Sequence, residues 1–143
     1  MGENARDQYP KLAMTTAYWC VLLAALLPIL WTGAAKAGGA RAGGVRYDNA
    51  RPRESLAALA GWPARANFAQ QNSYEAFPPF AAGVIIAQLC NAPQSTIDTL
   101  AITFVVARVA YGLCYMADQA GLRSLVWLVG FGSMIGLFVA AAG

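Results

Sequence analysis

Apolar and polar positions alternate along this chain in four long blocks. From Leu12 to Ala35 there is no charged residue. As a helix, that run is long enough to cross about 30 Å of hydrocarbon. Pro28 is expected to kink it or to break its last turn. The acidic residues ahead of the run, and its length, argue for a retained helix rather than a cleaved leader. A second run extends from Pro63, a residue suited to a first helical turn, to Leu89, with Pro78 and Pro79 expected to bend it. A third runs from 96 to Ala117, where Ser95 and Asp98 form an S-x-x-D box expected to cap its start. A fourth runs from Leu122 to Ala142 and contains Gly132 and Gly136 at the spacing that permits close helix packing.

The intervals are short except for the first. Residues 36–61 carry Lys36, Arg41, Arg46, Arg51 and Arg53 against Asp48 and Glu54. Gly38, Gly39, Gly43 and Gly44 make this stretch read as a flexible loop, with a short interfacial helix over Arg53–Leu59. The pattern predicts one domain over 1–143, an all-α membrane bundle with spans at 12–35, 63–89, 96–117 and 122–142. An excess of Lys and Arg marks cytoplasmic loops. That rule puts the first and third loops in the cytoplasm and both termini outside it, in a multi-pass membrane protein.

Composition agrees with a bilayer setting. The 143 residues are 58% hydrophobic and 12% charged, with mean hydropathy +0.45. Soluble domains carry roughly 25% charged residues. The net charge of +3 is too small to argue for nucleic acid. With no histidine, His-based triads are excluded and no metal site is expected. Cys20, Cys90 and Cys114 lie in or beside apolar runs and read as small hydrophobes.

The candidate chemistry centres on Glu75, a carboxylate inside the second run. Such a group costs about 2.5 kcal/mol or more in a membrane span and needs a partner, water or a proton. Gln71 and Asn72 lie one turn before it. Glu75 is about 18 Å from the cytoplasmic end of its helix and Arg108 about 14 Å from that same side on an antiparallel neighbour. The two are expected to neutralise each other, and such a pair can be purely a register device. Tyr111 and Tyr115 follow Arg108 on one stripe. Arg65 lies near the mouth of the second helix, and Arg123 opens the fourth. Together these residues outline a cation-rich pocket for a small polar anion, with an apolar partner arriving from the bilayer.

Three strings carry a family resemblance: R-A-N-F-A-Q-Q-N-S-Y-E-A-F-P-P-F from Arg65, V-V-A-R-V-A-Y-G-L-C-Y around Arg108, and L-R-S at the fourth span. They resemble the MAPEG family, the membrane-associated proteins in eicosanoid and glutathione metabolism, and look closest to its bacterial branch. The resemblance implies a four-helix bundle assembled as a homotrimer, with glutathione as co-substrate bound between subunits. It implies that Arg123 stabilises the glutathione thiolate and that Asn72, Glu75, Tyr111 and Tyr115 touch the tripeptide, with Arg108 in a structural or ligand role. Gln71 and Arg65 join the candidate set by position. Phe68 stands where eicosanoid-synthase relatives have an arginine, Gln71 replaces another basic position, and Trp127 replaces a tyrosine. The leading expectation is a glutathione transferase or peroxidase acting on apolar electrophiles. The alternatives are a non-catalytic scaffold or accessory subunit of the same fold, and a small four-span exporter. A carboxylate neutralised by Arg108 argues against the last.

Overall fold

A computed structural model describes residues 13–41 and 47–143. They form helices α1 (Thr16–Arg41), α2 (Pro52–Ala57), α3 (Gly61–Leu89), α4 (Gln94–Met116) and α5 (Ala120–Ala141). The four long helices make an antiparallel bundle in which α3 and α4 each touch α1, α5 and one another. The start of the first predicted span at Leu12, and Gly43, Gly44 and Arg46 of the basic segment, lie outside the described residues.

Among the described residues, three helices are long and apolar enough to cross a membrane: α1, α4 and α5. The predicted second span corresponds to α3, an unbroken helix of 29 residues that is not among them. Its first half carries Arg65, Asn67, Gln70, Gln71, Asn72, Ser73 and Glu75, which lowers its apolar character. Helix continues through Pro78 and Pro79.

The first interval differs from its expected form. α1 does not stop at Ala35 but runs on through Lys36 to Arg41. Gly38 and Gly39, read from sequence as flexible-loop residues, are buried helical contacts instead. A Cβ on Gly38 would collide with the Trp62 ring, and one on Gly39 would stand 2.5 Å from Leu59 Cδ2. The glycines are needed for approach, because the chain returns after α2 and lays Leu59 and Trp62 across the end of α1. α2 itself starts at Pro52, one residue before the expected Arg53–Leu59 helix, and ends at Ala57, two residues before its expected end.

The core lies toward the end of the bundle opposite α2. Phe80 of α3 stacks on Phe104 of α4 at 3.8 Å and 4°, and both are buried. α1 contributes small side chains there, Ala17, Cys20 and Ala24. Nearer the other end, α4 approaches α1 at Gly112, where any Cβ would collide with the buried Trp31 indole. On α5, a Cβ added at Gly130 would stand 3.4 Å from Ala107 and one added at Gly136 would stand 3.0 Å from Leu100. Gly132 meets nothing within 4 Å, so the close approach within the chain does not use Gly132 and Gly136 as a pair.

The expected S-x-x-D cap on α4 is not formed. The helix begins at Gln94 after Pro93, with no side-chain cap. Asp98 Oδ1 accepts the Ala17 backbone N–H at 2.9 Å and the Gln94 amide at 2.9 Å. Its partner is therefore the start of a different helix, α1, whose early N–H groups have no intrahelical acceptor. Thr15 Oγ1 completes the joint, accepting the Tyr18 N–H at 3.3 Å and the Gln88 amide of α3 at 3.0 Å. Removing a cap acceptor typically costs about 1 kcal/mol. Asp98→Ala is expected to lose about that much stability and Asp98→Asn less, read as the midpoint of detergent-induced unfolding followed by circular dichroism.

Candidate functional site

Arg108 sits midway along α4 and is only 4% exposed. Its Nη2 donates to Asn72 Oδ1 at 2.7 Å, and Asn72 Nδ2 donates to Glu75 Oε2 at 3.0 Å. The expected direct pair between Arg108 and Glu75 is absent: among the described residues no such contact lies within 4.0 Å. An amide offers both an acceptor and donors. Asn72, one turn before Glu75 on α3, therefore stands between cation and carboxylate and serves each. Glu75 remains exposed. The argument that a directly neutralised carboxylate is unfit for proton exchange loses its contact.

Toward the α2 end the cation pattern continues through aromatic rings. Arg108 lies 4.5 Å from the Tyr111 centroid, Tyr111 meets Tyr115 edge-on at 5.6 Å, and Arg123 lies 4.3 Å from the Tyr115 centroid. Phe68 of α3 tilts onto Tyr115 at 6.1 Å. The i, i+3, i+7 spacing on α4 stacks these groups on one face, and Arg123 enters from the first turn of α5. Cation–ring contacts hold a guanidinium in place without neutralising it. Arg123 makes no ion pair among the described residues.

Two hollows adjoin this ladder. A cavity of about 200 Å³ opens between α3, α4 and α5. Asn72, Glu75 and Arg108 line one part of its wall, and Phe104, Trp127, Phe131 and Met134 supply apolar wall. A more open groove of about 360 Å³ is lined by Tyr111, Arg123, Ser124, Trp127 and Leu128. Trp127 belongs to both walls.

The candidate residues thus divide. Asn72, Glu75 and Arg108 share the cavity, Tyr111 and Arg123 share the groove, and Tyr115 supports Arg123 from below. Arg65 and Gln71 join neither. Arg65 donates from Nε and Nη2 to the Met116 carbonyl at 3.2 and 3.1 Å and lies 3.8 Å from Asp118. It closes the carboxyl end of α4, where carbonyls lack intrahelical donors. Gln71 is exposed and makes no side-chain hydrogen bond among the described residues. Arg65→Ala is expected to cost about 1 kcal/mol of bundle stability, the usual worth of a hydrogen bond. The loss is read as the midpoint of detergent-induced unfolding followed by circular dichroism.

Sequence reasoning passed over the α5 side of the cavity. Trp127 entered only as the replacement for a family tyrosine, and Phe131 and Met134 drew no attention. Their spacing after Arg123 carries the signal: 123, 127, 130 or 131, and 134 fall on one helical stripe.

No curated protein and no solved structure matches this chain. A family model does match, over residues 16–143, nearly the whole sequence. The helical bundle with its apolar spans, the Arg108–Asn72–Glu75 relay and the Arg123 groove sit inside that match, and the chain belongs to the MAPEG family.

Proposed function

We propose that this protein is a membrane-embedded, glutathione-dependent transferase or peroxidase-like enzyme acting on apolar electrophiles. The observation that carries the reading is Arg123: a guanidinium fixed over the Tyr115 ring, free of ion pairs among the described residues, and facing an open groove beside Tyr111 and Ser124. A thiol with an ordinary pKa of about 8.5 becomes largely thiolate near neutral pH when a fixed cation lies beside it. In the conjugation step the glutathione thiol gives its proton to solvent. The sulfur lone pair forms a C–S bond at the electrophilic carbon, and the leaving group departs with its bonding pair. Tyr111 and Ser124 offer hydroxyls to the peptide, and Asn72, Glu75 and Arg108 offer polar contacts deeper in the bundle.

In this reading α3 crosses the bilayer beside α1, α4 and α5, the chain is one membrane domain, and the α2 end faces the cytoplasm of a bacterial inner membrane. The groove is open on one side, and large apolar residues such as Leu125, Leu128 and Ile135 are exposed on α5. A homotrimer would cover such faces and complete a site between subunits. The test is glutathione titration of detergent-purified protein by calorimetry, with thiolate absorbance followed across pH. Saturable binding with thiolate near neutrality supports the reading. No binding at millimolar glutathione, with the bundle intact, rejects it.

A scaffold role has one observation in its favour. Arg65 and Arg108 are both engaged in holding helices together, as a register device requires. It predicts intact assembly with no thiol chemistry.

A further inference from the structure

Four cations at the α2 end, Lys36, Arg41, Arg51 and Arg53, line neither the Arg108 cavity nor the Arg123 groove. Helix length sets the level of the first two. α1 has 26 residues, about 39 Å of helix, against about 30 Å for a hydrocarbon core. Thr16 lies at the polar joint made by Thr15, Gln88 and Asp98. Counted from there, Lys36 is about 30 Å along the axis and Arg41 about 38 Å. The helix therefore carries both cations through the headgroup layer instead of ending below it. Tyr and Trp settle at that layer, and one of each is found beside them. Lys36 Nζ lies 4.0 Å from the Tyr47 ring centroid, and Trp62 packs over Gly38 while remaining partly exposed.

α2 holds the other two cations on a fixed platform. Ser55 is buried and ties the helix down by accepting the Asp48 N–H at 3.0 Å, and Leu59 lies over Gly39. Arg51 and Arg53 remain exposed. The neighbouring carboxylates cancel little of this charge. Asp48 is turned into its own loop, where Oδ1 accepts the Ala50 N–H at 2.8 Å. Glu54 stands 3.7 Å from Arg51, but the side chains are 74% and 70% exposed, and so open a pair is strongly screened. Lys36, Arg41 and Arg53 make no ion pair among the described residues.

We propose that this surface binds the headgroups of anionic phospholipids, with Lys36, Arg41, Arg51 and Arg53 as the cations that meet them. Basic clusters beside a membrane helix are drawn to a negatively charged leaflet. Depth favours a lipid over a soluble anion, because a phosphate at this level is already tethered in the bilayer at high effective concentration. A zwitterionic headgroup brings a choline cation to the same surface and gains less. Neither Arg123 nor glutathione takes part.

Full-length protein in a neutral detergent is titrated with phosphatidylglycerol or phosphatidylcholine of identical acyl chains, and native mass spectrometry counts the lipids retained. Phosphatidylglycerol is expected to bind at least about tenfold more tightly. Most of that preference is expected to vanish between about 50 and about 500 mM ammonium acetate. Arg51→Gln combined with Arg53→Gln leaves the Leu59 and Trp62 contacts in place and is expected to reduce the preference below about threefold. Glu54→Gln removes an opposing carboxylate and is expected to raise it about twofold. Equal binding of the two lipids, or an unchanged preference in the double variant, overturns the proposal. If circular dichroism shows that the double variant does not fold, Glu54→Gln decides alone, and an unchanged preference there overturns it. Release of phosphatidylglycerol by millimolar inorganic phosphate at constant ionic strength also overturns it, since the surface would then serve soluble anions.

Discussion

Replacing Asn72 with leucine is expected to destabilise the bundle by about 3 kcal/mol, the largest stability effect of any single substitution at the candidate site. Arg108 is 4% exposed, and its one side-chain hydrogen bond among the described residues goes to Asn72 at 2.7 Å. Hydrogen bonds to charged groups contribute about 1.5–3 kcal/mol, and stranding a buried cation costs more than the bond itself. Leucine fills a similar volume and accepts nothing, so the guanidinium keeps only the Tyr111 ring. Glu75→Gln is the informative contrast. Glu75 is exposed, reaches Arg108 only through Asn72, and a glutamine oxygen can still accept from the Asn72 amide. Its cost is expected to stay below about 1 kcal/mol. Detergent-induced unfolding followed by circular dichroism ranks the two. Equal losses, or a larger loss for Glu75→Gln, would mean that the carboxylate rather than the amide holds Arg108.

Replacing Arg123 with alanine is expected to reduce kcat/KM for a small aromatic electrophile about 100-fold near neutral pH, the order seen when one fixed electrostatic stabiliser is removed from a reaction centre. The loss should have a characteristic pH profile. With the cation gone the thiol returns toward its ordinary pKa of about 8.5. The variant should therefore recover part of its rate as pH rises through that value, while the wild type is already on its plateau. Arg123→Lys keeps the charge without the planar contact on Tyr115 and is expected to fall between them. Stability should hardly move, because Arg123 is partly exposed and makes no ion pair among the described residues. A uniform loss at every pH, or a loss matched by unfolding, would assign Arg123 to architecture instead.

Much of this arrangement was legible beforehand because it rests on local rules. Mostly apolar runs near membrane thickness define the long helices, and helical spacing puts Arg108, Tyr111 and Tyr115 on one stripe. What escaped notice depends on a partner distant in sequence. The S-x-x-D box at Ser95 is a sound local signal, yet Asp98 turns to α1, 81 positions away. Gly38 and Gly39 look like loop residues until Trp62 and Leu59 are brought over them. Depth arithmetic placed Glu75 and Arg108 at one level but could not choose between a direct contact and one through Asn72. Arg65 looked like a free cation at a helix mouth because its acceptor is a backbone carbonyl, which no side-chain pattern reveals.

The joint at the start of α1 also has a consequence for synthesis. Thr15 and Ala17 emerge early, but their acceptor and donor partners, Asp98 and Gln88, are 81 and 73 positions later. At translation rates of roughly 5–20 residues per second, that gap lasts on the order of 4–16 s. During this interval the first helix leaves the ribosome with its amino end unfastened; α3 then brings Gln88 to Thr15, and α4 brings Asp98 to the Ala17 N–H. The nascent joint is therefore completed from α4 back to α1, and a chain stalled before residue 98 holds a membrane helix whose Ala17 N–H still lacks its Asp98 acceptor.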